Sequence, residues 1–461
     1  MRSVGQKEMK TSPAVIFWVL LVSSIYADTL YVVKDNPGAL PPYDAWTNAA
    51  SDLQVAVDST SDGDTILVSN GVFSAGGRSL GTDTTNRVVV TNAISIVGIN
   101  GPSGTVIRGE SDPVTTNGNA SIRCLYLGDG ARISGFTLTN GTTTGNGGGV
   151  LCESTNAIIS ESIITGNSAG NDGAGVYGGT IVDSTICGNN GTWYGGGAAN
   201  SMLTRCIVAN NKGGYHGAGV AMCTVYNSLI VSNTIGAPGG GAVNSTLYNC
   251  VLLGNSSETL GGGAWFCALE NCTVLGNYAK DGGGGLGGNT SEARNSIIYS
   301  NISTSAPDAN YWGNGISLEF CCTTPLPLGP GNITNAPDLA NSSDTNWQLS
   351  ASSPCIDAGT NQEWMIGSTD IDGQVRIFHD RVDIGANEAV IEATSLCGSS
   401  IITSSWNTVV GATCQLEFAT SPTATVWNTH GNVITATENA VHFVLTNDAA
   451  TTQMLRLNWI R

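Results

Sequence analysis

Apolar positions recur along the middle of the chain in columns set 22 residues apart. One column runs Ile164, Ile186, Val208, Ile230, Leu252, Val274, and a second runs Ile181, Leu203, Val225, Leu247, Leu269. A third runs Val176, Ala198, Val220, Ala242, Ala264, Leu286. Between these columns apolar and polar residues alternate, the period-two signature of a strand. Two marker residues keep the same step. A glycine triplet ends at Gly175, Gly197, Gly219, Gly241, Gly263 and Gly285, and an asparagine stands at Asn167, Asn189, Asn211, Asn233, Asn255 and Asn277. A fixed period of this length predicts a solenoid. Three short inward-facing strands per turn predict an all-β, right-handed parallel β-helix of about 22 residues per coil. The asparagines are expected to form a buried hydrogen-bonded ladder, and the glycines to mark a corner with positive φ and close contact between coils.

The flanks of the repeat predict further units. Residues 28–93 read as an N-terminal cap and first strands, with Trp46, Ala49, Ala50, Leu53, Ala56 and Val57 at helical spacing. The β-helix is placed at 94–338, a C-terminal cap segment at 339–390, and a small β-sandwich of alternating strands at 391–461. The start, with Arg2, Lys7 and Lys10 before the apolar run Ala14 to Ile25, predicts a signal peptide over 1–27. The run is too short to span a bilayer, and no later segment reads as a membrane helix.

Composition sharpens this picture. Gly contributes 61 of 461 residues and charged residues only 11%, which suits short strands and tight turns. The formal net charge of −18 repels nucleic acid and anionic lipid. Of the 13 cysteines, Cys206, Cys250 and Cys272 share a repeat column with Ser184 and Ser228, and Cys223 and Cys267 share one with Ser201 and Ser245, so most are expected as buried thiols, with Cys321, Cys322, Cys397 and Cys414 the better candidates for bridges.

Two motifs carry a family resemblance. Gly239-Gly240-Gly241-Ala242 and Gly261-Gly262-Gly263-Ala264, paired with Ile164-Thr165-Gly166-Asn167 and Val274-Leu275-Gly276-Asn277, resemble the polymorphic outer membrane protein repeats over residues 134–301. Aliphatic residues replace that family's Phe. The opening Gly63-Asp64-Thr65-Ile66-Leu67-Val68 resembles the start of pectin-lyase-like β-helix proteins. Ser353 to Gly359, Asp370-Ile371-Asp372-Gly373 and Val382 to Glu388 resemble a choice-of-anchor segment, with Asn387 where Tyr is usual. These resemblances imply a bacterial protein exported to the cell surface or secreted.

The candidate chemistry is sparse. Glu161, Asp183 and Arg205 share a column, so stacking would bring the two carboxylates to about 5 Å, the spacing of retaining glycosidases. An ion pair between Asp183 and Arg205 is the structural alternative. Trp193 and Tyr215 share one column, Tyr194 and His216 the next, and such rings can stack on sugars. Asp370, Asp372 and Asp383 offer oxygen ligands for calcium, against the simpler role of capping turns; no other cofactor is implied. Glycine triplets without a following Lys-Ser or Lys-Thr are architecture, not a nucleotide cradle. The expected protein is a monomeric structural, adhesive or glycan-contacting β-helix, with polysaccharide as its partner. A polysaccharide lyase or glycoside hydrolase is the alternative, and the fold alone does not choose.

Overall fold

The computed structural model describes residues 27–389, except 82–83, 306–308, 341–346, 351 and 379, and beyond them six strands between Ala393 and Ile460. The expected leader over 1–27 lies outside the described residues but for Ala27. The chain is a parallel β-helix whose walls are sheets of 12, 8, 10 and 11 strands among the described residues. One coil shows the plan: Val176–Tyr177, Thr180–Val182, Thr185–Cys187 and Asn190–Gly191. The next coil repeats it 22 residues on, with Val176 opposite Ala198, Ile181 opposite Leu203 and Ile186 opposite Val208, all parallel. A coil therefore has four strands where the apolar columns predict three. The fourth is two residues long, too short for an alternating pattern to show.

The corners explain how so short a coil closes. Each of the four strand junctions is turned in the left-handed region: in this coil by Gly178 (φ 75°) with Gly179 (φ 81°), Asp183 (φ 49°), Gly188 (φ 64°) and Gly195 (φ 66°). Gly and Asn tolerate that conformation best, which is why they dominate the corner columns. The glycine triplet divides two tasks. Its first member turns the corner. Its third, at Gly197, does not, but a Cβ there would sit 2.6 Å from the Gly219 carbonyl oxygen and 2.9 Å from Asn211 Nδ2. Gly197→Ala is therefore expected to lower stability by about 2–3 kcal/mol through overpacking. Gly236→Ala, which meets nothing within 4 Å, should be silent. The two denaturation midpoints check this.

Inside, the three apolar columns are fully buried in one continuous core from Leu30 to Cys321. The asparagine ladder runs unbroken: each Nδ2 from Asn167 to Asn277 donates to the next Oδ1 at 2.9–3.0 Å. The Cys/Ser columns do more than fill space. Ser184 and Ser228 hydroxyls and Cys206 and Cys250 thiols all donate to the carbonyl two residues back. Burial pushes the Cys223 and Cys267 thiols up to about 12, so they are inert. Cys321 and Cys322 are also free, buried thiols.

The N-terminal cap contains one helical turn, Leu53–Val57, capped by the Asp52 side chain on Gln54 N. The helical spacing back to Trp46 predicts more. The preceding residues instead bond to the first strand, Ala50 N donating to Tyr31 O, and Trp46 packs edge-on against Tyr31. At the other end, residues 355–388, part of the cap segment expected over 339–390, lie along the flank of the last coils. The corner asparagines hold them there. Asn227, Asn249, Asn271 and Asn295 donate in turn to the carbonyls of Asp370, Thr369, Asp383 and Thr360. Ile297, Cys322, Leu349, Cys355 and Ile384 form a second core beneath. Two three-stranded antiparallel sheets follow, Ala393–Cys397, Ile401–Asn407 and Ala440–Thr446 in one, Asn428–Thr435, Thr413–Ala419 and Met454–Ile460 in the other. No helix among the described residues is long and apolar enough to cross a membrane.

Candidate functional site

The carboxylate column does not form an acid pair. Arg205 donates to both oxygens of Asp183 at 2.7 Å, and this holds the Asp183 carboxyl below its usual range. Glu161 makes no side-chain hydrogen bond among the described residues. All three residues turn corners with positive φ, as do the asparagines that continue the column. Of those asparagines, Asn249, Asn271 and Asn295 are buried under the flank segment.

The loop aromatics do come together. They sit between the fourth strand and the glycine corner of two successive coils. Trp193 and Tyr215 have ring centroids 5.3 Å apart, and both are about half exposed (48% and 52%). Tyr194 and His216 pair at 5.4 Å, and Tyr215 meets His216 edge-on at 4.4 Å. Burial lowers the His216 pKa, so the ring is neutral at pH 7. Its Nδ1 is shielded and has no partner among the described residues. Trp193 and Tyr215 are the exposed rings of the cluster, and His216 beside them is partly covered.

The acids of the flank segment are committed to donors of the protein itself. Asp370 accepts from the backbone of Asp372, Gln374 and Glu388. Asp383 accepts from the backbone of Asp357 and Ala389, and Asp372 from the Asn387 amide. Among the described residues no group of three or more such side chains is arranged to hold a metal ion. Arg376 lies at the centre, fully buried, donating to the carbonyls of Asp383 and Gly385, with Glu388 at 3.9 Å. Burial raises Asp370, Asp383 and Glu388 together.

Pattern reading missed a second lateral feature. Thr204, Tyr226, Tyr248, Glu270, Arg294 and Glu319 are register partners on successive coils of the 12-stranded sheet, one face of one wall. Tyr226 and Tyr248 stack at 4.9 Å with an interplanar angle of 9°. Trp364, from the flank segment, stands edge-on to Tyr248 at 5.1 Å. Arg294 bridges Glu270 at 3.3 Å and Glu319 at 3.0 Å. Burial, opposed by Arg294, raises the Glu270 carboxyl to about 7. Near the N-terminal coils a cavity of about 520 Å³ is lined by Arg123, but that guanidinium already donates to the carbonyls of Gly147 and Asn146.

No protein-family model and no curated protein matches the sequence. Among solved structures the chain is similar to pectate lyase Pel9A, with a TM-score of 0.45 and 14% identity over 79% of this chain and 97% of that one. It is also similar to a rhamnogalacturonan lyase, with a TM-score of 0.34 and 12% identity over 68% of this chain and 89% of that one.

Proposed function

We propose that this is an exported, monomeric β-helix protein, secreted or held at the bacterial cell surface, with a structural or adhesive role. It contacts glycan through Trp193, Tyr194, Tyr215 and His216. The observation that carries this reading is the pair of half-exposed rings on neighbouring coils. Sugar rings carry apolar C–H faces, and an exposed aromatic face gains by covering one. The rigid coils hold both rings without an ordering cost at binding. The acids once paired by spacing support binding over catalysis, since Asp183 is neutralised by Arg205. One observation favours the alternative, a polysaccharide lyase or glycoside hydrolase: Glu270, held near pH 7, has the value a general acid or base needs.

Trp193→Ala with Tyr215→Ala is expected to weaken retention on a glycan array about tenfold or more while leaving the melting curve unchanged. Unchanged retention removes this site. Release of reducing or unsaturated ends from any polysaccharide, lost in Glu270→Gln, would favour the enzyme.

A further inference from the structure

The flank segment does more than cover the coils. Where it rides over Tyr226 and Tyr248 it leaves a cavity of about 470 Å³, lined by Thr204, Asn227, Asn249, Trp364 and Thr369 besides the two tyrosines. That size is typical of small-ligand sites. We propose that this slot, formed between the flank segment and the 12-stranded wall, is a second binding site and takes a neutral glycan.

Three features point to that ligand class. The first is the aromatic wall. Tyr226, Tyr248 and Trp364 are each only partly covered, and their mutual contacts fix them as a rigid surface. The second is a set of buried polar atoms with no partner among the described residues: Trp364 Nε1, Asn249 Oδ1 and, one coil further, Glu270 Oε2. Asn249 is only 2% exposed. Its amide orientation is set by Nδ2, which donates to Thr369 O at 2.8 Å and to Asn227 Oδ1 at 3.1 Å. Oδ1 is therefore the atom left over. Unpaired buried donors and acceptors are costly, and natural folds keep few of them. Here one donor and one acceptor belong to residues that line the slot, with the Glu270 oxygen on the next coil. A polyol satisfies both kinds, because each hydroxyl donates and accepts.

The third feature is charge. Glu270, Glu292 and Glu319 surround Arg294 on the coils beyond Tyr248, and Glu363 precedes Trp364 in the chain. Arg294 is already shared between two carboxylates. A uronate would approach these carboxylates, and no Lys or Arg among the described residues lines the slot. An uncharged sugar meets no such penalty. This places the slot's specificity away from acidic polysaccharide. The inference does not rest on the loop aromatics, which lie on other coils and another wall.

The test uses the full chain and calorimetric titration with neutral gluco-, xylo- and manno-oligosaccharides, with an oligogalacturonide as the acidic probe. Binding of at least one neutral oligosaccharide is expected, weakened about tenfold or more in Tyr248→Ala and by a smaller factor in Trp364→Phe, which keeps a ring and removes the N–H. With Trp193→Ala and Tyr215→Ala in place, the component of this binding that depends on Tyr248 should persist. If Tyr248→Ala unfolds, Trp364→Phe alone decides the matter. Binding of the oligogalacturonide in preference to every neutral probe would overturn the proposal. So would neutral binding that survives both slot variants, or that is lost only in the loop variants.

Discussion

Replacing Asn211 by Ala is expected to destabilise the rod by about 3–5 kcal/mol, more than any surface change of comparable size. Asn211 Oδ1 accepts from both the backbone N–H and the Nδ2 of Asn189, and its own Nδ2 donates to Ile186 O and Asn233 Oδ1. All of these groups are buried, and Asn211 itself is fully covered. Truncation leaves a backbone N–H and an amide N–H without partners where water cannot follow, takes a donor from the Ile186 carbonyl, and adds a small void. Each rung of the ladder is made to the next, so the loss falls mid-stack, where no end can relax to absorb it. Chemical denaturation of the variant beside the parent chain checks the figure. A loss under about 1 kcal/mol would mean that the ladder accompanies the fold without holding it.

The second large effect is expected at Arg376. Arg376→Met should release residues 355–388 from the flank, at a cost of about 3–5 kcal/mol to that contact. Among the described residues the guanidinium is the one cation acting on Asp370, Asp383 and Glu388, and all four side chains are buried. Without it the carboxyls must take up protons or leave. The same cluster predicts a pH dependence in the parent chain. Burial raises Asp383 to about 6 and Glu388 to about 9, above the ordinary carboxylate range near 4. A carboxyl with a higher pKa in the folded state binds more protons there. Docking of the flank segment therefore weakens as pH rises from about 4 towards 9, and levels off once both groups are ionised in either state. Hydrogen exchange of residues 355–388 at pH 5.5 and pH 8.5 reads this locally. Faster exchange at the higher pH, beyond the intrinsic chemical rate, is expected; equal protection would show that the acids do not set the docking.

Much of the fold is legible in the sequence because a solenoid turns period directly into proximity. The columns through Ile164, Ile181 and Val176 form the core, and the asparagine ladder joins partners 22 residues apart. The Ser/Cys column is equally visible, although its hydrogen bond to the carbonyl two residues back is a matter of geometry. Less could be read where local conformation or distant chain decides. The strand Asn190–Gly191 has no pattern to announce it. Asp183 and Arg205 look like chemistry in a column but are corner residues joined by an ion pair. The lateral ladder is interrupted in sequence. Two extra residues before Glu292 place Arg294 24 positions after Glu270, out of step with the repeat. Trp364, which completes the slot, arrives from a segment more than a hundred residues beyond Tyr248, and no periodicity carries that information.

The central claim is that the walls of this β-helix bind glycan by aromatic contact and that uncharged sugars are preferred. Electrophoresis of the native full-length chain through gels containing neutral or acidic polysaccharide tests it most directly. Retardation by at least one neutral polysaccharide is predicted, relieved when Tyr248, Trp193 and Tyr215 are truncated together. Unhindered migration through every gel, or retardation by polygalacturonate alone, would contradict it.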